Sequence, residues 1–270
     1  MPDAPRVVTG PDGNAMAYRQ FGNGPRLITC LHSLALDGSW YEPLARALGE
    51  DYRLLAPDFR GHGASERGEA PITLDRIAAD VAAVWDAEGI ERSVVLGISL
   101  GGVMAQAVTG SLASRVEAQI LVATRGAYDE AAAAATTARA DDLRAPDGVE
   151  RAEKSMLQRW FGDGASNGSD PLVRRAREQF LGSDGNIVAD YLIAMTRVGE
   201  FRTESPPRTL VVGGDDDRST PRAVTEQLAA SIPGAELRLA HGGHLVAFDD
   251  PNEVAATIRP FLDRLECWAG

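Results

Sequence analysis

Ser99 stands in the run Gly97-Ile98-Ser99-Leu100-Gly101-Gly102, with a glycine two residues away on either side. That spacing suits a serine carried on a sharp turn between a strand and a helix, where side chains at the flanking positions would collide. Such a turn lifts the hydroxyl clear of the backbone and sets it at a helix N-terminus, whose N–H groups and dipole favour developing negative charge. A hydroxyl is a poor nucleophile until a base takes its proton. The chain has four histidines, His32, His62, His241 and His244. When a serine works from this kind of turn, an acid and then a histidine follow it along the chain, which leaves His241 and His244. His244 lies between Gly242-Gly243 and the apolar Leu245-Val246 and is read as the base; His241 is read as a polar loop residue ending a strand. The acid should close an earlier strand, and Val211-Val212-Gly213-Gly214-Asp215-Asp216-Asp217 does so. On spacing alone any of the three aspartates could hold the imidazole in one tautomer.

Acyl transfer also needs two backbone donors for the oxyanion. One is expected from Leu100, directly after the nucleophile, and one from the loop after an apolar strand at 27–31, at Leu34. His32, just before that loop, reads as a hydrogen-bonded structural histidine. The run Asp58-Phe59-Arg60-Gly61-His62-Gly63-Ala64-Ser65 reads as a constrained loop in which Asp58 and Arg60 make internal polar contacts.

The elements that must position these residues are legible as short apolar runs at 27–31, 52–56, 93–98 and 118–123, then 209–212 and 236–240. Helical patterns separate them. At 74–85 the residues Leu74, Ile77, Ala78, Val81, Val84 and Trp85 recur at spacings of three and four, which makes one apolar face. Strand–helix alternation with nearly continuous apolar strands predicts a mostly parallel sheet, buried on both faces and flanked by helices. Further helices are expected at 44–48, 221–232 and 252–265. Between 125 and 205 no strand pattern appears. That stretch is read as a helical cap inserted into one α/β core made of 1–124 and 206–270.

At 270 residues, with 44 % hydrophobic and 24 % charged residues, the composition is that of one large globular domain. A net charge of −12 would repel phosphate backbones, so nucleic acid is not an expected partner. Cys30 sits in an apolar run and reads as a small core residue; Cys267 has no evident role, and the two fit no metal spacing. No run approaches the roughly 20 apolar residues of a membrane span, and 1–9 contain no signal-like stretch, so a cytoplasmic protein is expected.

Taken in order, Leu31-His32-Ser33-Leu34, Asp58-x-Arg60-Gly61-His62-Gly63-x-Ser65, Gly97-x-Ser99-x-Gly101-Gly102, Gly214-x-x-Asp217-x-x-x-Pro221 and Gly243-His244 resemble the α/β-hydrolase superfamily along almost the whole chain. The resemblance implies the α/β-hydrolase fold and selects Asp217, four residues before the proline, as the acid. A narrower resemblance, to 3-oxoadipate enol-lactonases, is carried by His32-Ser33-Leu34 with Trp40, by Gly101-Gly102-x-x-Ala105-Gln106, and by Arg159-Trp160-Phe161 in the cap. Ala35 departs from it, since a glycine is usual there. The resemblance implies a small-molecule ester or enol-lactone opened by water through an acyl-serine, with no metal or organic cofactor. Trp160 and Phe161 are the candidate pocket residues. C–C bond hydrolases and cofactor-free perhydrolases share the same triad, and a non-catalytic ligand-binding protein on the same scaffold is the alternative from another class.

Overall fold

A computed structural model describes residues 4–166 and 168–268. Eight strands form one sheet: β1 (Arg6–Thr9), β2 (Ala15–Phe21), β3 (Arg26–Leu31), β4 (Tyr52–Pro57), β5 (Ser93–Ile98), β6 (Val116–Val122), β7 (Arg208–Gly214) and β8 (Glu236–Ala240). Their spatial order is β1-β2-β4-β3-β5-β6-β7-β8. The six strands from β4 to β8 are parallel, whereas β1 and β2 pair antiparallel at one edge. All six residues of β5 are buried, as are six of the seven in β6 and in β7, which is why these strands read as unbroken apolar runs.

The helices of the core are α1 (Glu42–Leu48), α2 (Leu74–Ala87) and α3 (Leu100–Ser111) in the first half of the chain. The face expected for α2 is the buried one, and the Thr73 side chain accepts from Arg76 N–H at the helix start. Trp85, at its far end, donates through Nε1 to Thr29 Oγ1 on β3 at 2.8 Å.

The stretch between β6 and β7 carries α4 (Glu130–Arg144), α5 (Gly148–Phe161), α6 (Pro171–Leu181) and α7 (Gly185–Met195), with no strand among its described residues. Asp129, Asp170 and Asp184 cap three of these by accepting from backbone N–H groups of the first turn. The stretch is tied to the core where Tyr191 donates to the Arg60 carbonyl at 3.0 Å and Arg67 pairs with Asp190. Then follow α8 (Arg222–Ser231), the short α9 (Val246–Asp249) and α10 (Pro251–Leu262). The last helix stops three residues before its expected end, because after Leu262 the chain closes on tighter i→i+3 bonds from Arg264 and Leu265. Cys30 is buried in the core, and the side chain of Cys267 lies outside the described residues. Among the described residues no helix is long and apolar enough to cross a membrane.

Candidate active site

Ser99 joins β5 to α3 with φ 54° and ψ −114°, a conformation that L-residues rarely adopt and that costs of order 1–3 kcal/mol. Hydrogen bonds to its main chain hold it there. Ser99 N–H donates to the Val122 carbonyl at 2.9 Å, and the Ser99 carbonyl accepts from Gly102 N–H at 3.0 Å and from Thr124 Oγ1 at 2.7 Å. The flanking glycines are required by contact. A Cβ on Gly97 would sit 2.0 Å from the Gly101 carbonyl oxygen, and one on Gly101 would sit 1.9 Å from that of Leu31.

Three strand ends bring the partners to this turn. Ser99 Oγ lies 2.8 Å from His244 Nε2, in the loop after β8. His244 Nδ1 lies 2.9 and 3.1 Å from the two carboxylate oxygens of Asp217, in the loop after β7. The two loops are pinned together, since Asp215 N–H donates to the Ala240 carbonyl and Asp216 N–H to that of Gly242, each at 3.0 Å. Asp217 also accepts from Ser219 N–H and Thr220 N–H, both at 2.8 Å. The acid side chain is therefore buried with its charge met by an imidazole and two amides, and the His244 side chain is only 4 % exposed. With Nδ1–H donated to the carboxylate, Nε2 is left to accept the serine proton.

The neighbouring candidates go elsewhere. His241 is 90 % exposed and pairs through Nδ1 with Asp215, whose other oxygen accepts from Gly242 N–H. Asp216 faces solvent, 4.0 Å from Arg218.

The loop after β3 bears Leu34. It turns through a Leu36 N–H bond to the Ser33 carbonyl at 3.2 Å, and Ala35 takes a left-handed φ of 56°, the conformation in which a glycine would be unstrained. Two buried histidines brace this loop. His62 Nε2 accepts from Ala35 N–H at 3.1 Å, and His32 Nε2 accepts from Phe59 N–H at 2.9 Å while its Nδ1 lies 2.8 Å from the Ser33 carbonyl. An acceptor nitrogen requires a neutral ring. Burial supplies it, pushing His62 down to about 3 and lowering His32 as well. Asp58 and Arg60 make the expected internal contacts with other partners. Asp58 accepts from Gly38 and Ala64 N–H and pairs with Arg19; Arg60, fully buried, forks onto Asp80 and reaches Asp12.

Ser99, His244, Leu34 and Leu100 all border one cavity of about 370 Å³ lying between the sheet end and α4, α5 and α7. Leu100 is the first residue of α3, so its N–H has no partner within the helix. Trp160 lines the cavity, 3 % exposed, with its ring edge-on to Phe180 at 5.8 Å. Phe161 does not belong to the lining. It is the next residue on α5, about 100° further round the helix, and packs half-buried against the core instead. Residues that sequence reasoning missed complete the wall: Arg125, Tyr128, Arg139 and Arg159 with Met156 and Leu192. In the sequence Arg159 is legible only as part of a motif, not as a lining charge.

With this geometry in hand, comparison with known proteins is direct. The alpha/beta hydrolase family pattern matches residues 30–257. A polyketide synthase of Burkholderia thailandensis, ThaQ, is 30 % identical over 94 % of the chain, which spans only 12 % of that much longer protein. The 3-oxoadipate enol-lactonase 1 of Acinetobacter baylyi is 26 % identical, with 96 % of this chain and 97 % of the relative covered. Among solved structures, a hydrolase from Pseudomonas aeruginosa PA01 superposes with a TM-score of 0.85 at 29 % identity, covering 96 % of this chain and 98 % of its own. The chain belongs to the alpha/beta hydrolase family and has the α/β-hydrolase fold.

Proposed function

We propose that this member of the alpha/beta hydrolase family is a serine hydrolase that opens a carboxylic ester or enol-lactone through an acyl-serine. The observation that carries the reading is the continuous hydrogen-bonded line from Ser99 Oγ through His244 to Asp217 at a cavity wall. In the first step Ser99 Oγ attacks the carbonyl carbon while His244 Nε2 takes the hydroxyl proton. Asp217 keeps the imidazole in the tautomer that can accept it and stabilises the imidazolium that results. The carbonyl oxygen becomes an oxyanion facing Leu34 and Leu100 N–H, and loss of one such donor typically costs about 3–4 kcal/mol in the transition state. As the tetrahedral intermediate collapses, His244 returns the proton to the departing alkoxide or enolate oxygen. The base then activates a water, which attacks the acyl-serine and releases the acid.

On this reading residues 125–205 act as a cap whose helices shape the cavity, and Trp160 belongs to the pocket. The lactone alternative draws support from the enol-lactonase of Acinetobacter baylyi, which matches along nearly its whole length. Labelling with a fluorophosphonate tests the nucleophile. The native chain should take up one equivalent, and Ser99→Ala none, together with loss of the acyl-enzyme burst on a p-nitrophenyl ester. Undiminished labelling or turnover in Ser99→Ala would contradict the assignment.

A further inference from the structure

The loop after β3 is held from two sides. Its first part, 33–36, carries Leu34 and is braced from the core by His32 and His62. Its second part, 37–40, reaches α6 in the stretch between β6 and β7. Trp40 Nε1 donates to Gln179 Oε1 at 2.5 Å, and Gln179 Nε2 donates to Asp37 Oδ2 at 2.6 Å. One amide side chain thus gives both its donor and its acceptor to a single loop. Arg175, one turn earlier on α6, donates to Ser39 Oγ at 2.6 Å and lies over the Trp40 ring, 4.1 Å from its centre.

Core contacts fix the backbone at Gly38, whose N–H donates to Asp58 Oδ1, and the side chain of Tyr41, whose hydroxyl donates to the Leu31 carbonyl. Asp37 and Trp40 are buried, yet among the described contacts Asp37 Oδ2 and Trp40 Nε1 have no hydrogen-bond partner but Gln179. Lifting α6 would leave a buried carboxylate oxygen and a buried indole N–H unpaired, so the loop and the helix keep their places together. The other oxygen of Asp37 accepts from Ser39 N–H at 2.8 Å and fixes the turn at 38–41. On its N-terminal side Asp37 directly follows the turn that Leu36 N–H closes on the Ser33 carbonyl, the turn that bears Leu34 and the strained Ala35. A strained turn relaxes when its hold is loosened. Trp40 also packs against Phe248 on α9, four residues past His244, with 5.4 Å between ring centres.

We propose that Gln179 is a positioning residue for the oxyanion site. Bonded to Asp37 and Trp40, it holds the loop on which Leu34 N–H faces the reacting carbonyl, so α6 must be seated for the site to be complete. The proposal rests on Ser99 being the nucleophile and Leu34 N–H an oxyanion donor. It makes turnover depend on a helix that contributes no group to the reaction itself.

The test exchanges the hydrogen-bond partners in the full chain, with kcat and KM for p-nitrophenyl butyrate measured well below the unfolding temperature of every variant. Gln179→Glu sets a carboxylate against that of Asp37. Asp37→Asn, its oxygen kept by Ser39 N–H, sets an amide NH2 against that of Gln179. Each should lower kcat at least about tenfold and leave KM within about twofold of the native value, because an oxyanion donor acts in the transition state and not on the bound ester. The double variant restores the bond in the opposite direction: the amide placed at 37 donates to the carboxylate placed at 179, which still accepts from Trp40 Nε1. Its kcat should return to within about threefold of native, the coupling expected of two groups in direct contact. Glu178→Gln, an exposed neighbour on α6, should keep the native kcat. If Gln179→Glu alone fails to fold, Asp37→Asn and the double variant still make the comparison, since the added change must raise kcat. Native kcat in the single variants, a loss carried by KM alone, or a loss that the double variant does not reverse would overturn the positioning role. Absence of Ser99 labelling by a fluorophosphonate would instead overturn the serine-hydrolase reading on which it rests.

Discussion

Two histidine–aspartate pairs stand side by side where β7 and β8 end. His244–Asp217 and His241–Asp215 are three and two residues apart along their loops, and their Nδ1-to-carboxylate distances are 2.9 and 3.1 Å. Geometry between partners hardly separates them. Their surroundings do. The first pair is buried, its carboxylate accepts from two further amides, and its free imidazole nitrogen meets a serine hydroxyl. The second is bathed in water, with His241 90 % exposed, and its free nitrogen has no protein partner among the described contacts. A pair of residue types therefore says little by itself. Desolvation gives the carboxylate its strength, and a third group gives the imidazole something to act on.

The largest effect that could break this contrast is on turnover. Asp217→Asn should lower kcat on a p-nitrophenyl ester by about 10⁴-fold, the loss typical when the orienting carboxylate of a Ser-His-Asp triad becomes an amide. Asp215→Asn should leave kcat close to the parent value. Comparable losses in both variants would mean that the outer pair also serves the reaction.

Stability gives a smaller separation. Asp217→Ala leaves the Ser219 and Thr220 amides and the His244 ring without their acceptor in a buried place, and should cost about 1–3 kcal/mol by urea denaturation. Asp215→Ala should leave the midpoint near the parent's, because water replaces an exposed carboxylate.

The finest test is titration. Asp215 raises the His241 pKa, through a hydrogen bond first and then its charge, and the Asp215 pKa is itself lowered by the Gly242 amide and by His241. The histidine contribution is present below the ordinary imidazole value and lost as pH climbs through the raised one; the carboxylate contribution is present above the ordinary carboxylate value and lost as pH falls through the lowered one. The outer pair thus holds fully only between about pH 4 and 6.5. In Asp215→Asn the His241 imidazole resonance should titrate at a lower pH than in the parent. An unmoved titration would show that the pair is not formed in solution.

The comparison also explains what could be read from the chain. The turn at Ser99 was legible because sterics demand glycine at 97 and 101, and the parallel strands because burial on both faces makes them uniformly apolar. Spacing could not choose among Asp215, Asp216 and Asp217, since the choice depends on which carboxylate the loop turns inward; resemblance to a family supplied Asp217. The antiparallel edge went unread. In β2, Arg19 and Gln20 interrupt the apolar pattern, and β1 is only four residues long and mostly exposed. The arginines of the cavity were hidden for another reason. Residues 125, 139 and 159 lie in the segment after β6, on α4 and on α5, 14 and 20 residues apart in the chain, and packing brings them to one space. Trp160 and Phe161 look equivalent in sequence, but one helical step separates a buried residue that borders the cavity from a half-buried one that does not.

Gly101 leaves no room for a side chain between α3 and the end of β3, where the carbonyls of Leu31 and His32 would lie 1.9 and 2.7 Å from an added Cβ. The turn that carries Ser99 and the loop bearing Leu34 are therefore spaced by main chain against main chain. Nothing adjustable lies between them. The walls that α4, α5 and α7 give the cavity are, by contrast, made by side chains such as those of Arg139, Met156, Arg159 and Leu192. Substitution on these helices can thus reshape the cavity without disturbing the turn that carries Ser99, so lining and turn are free to change separately.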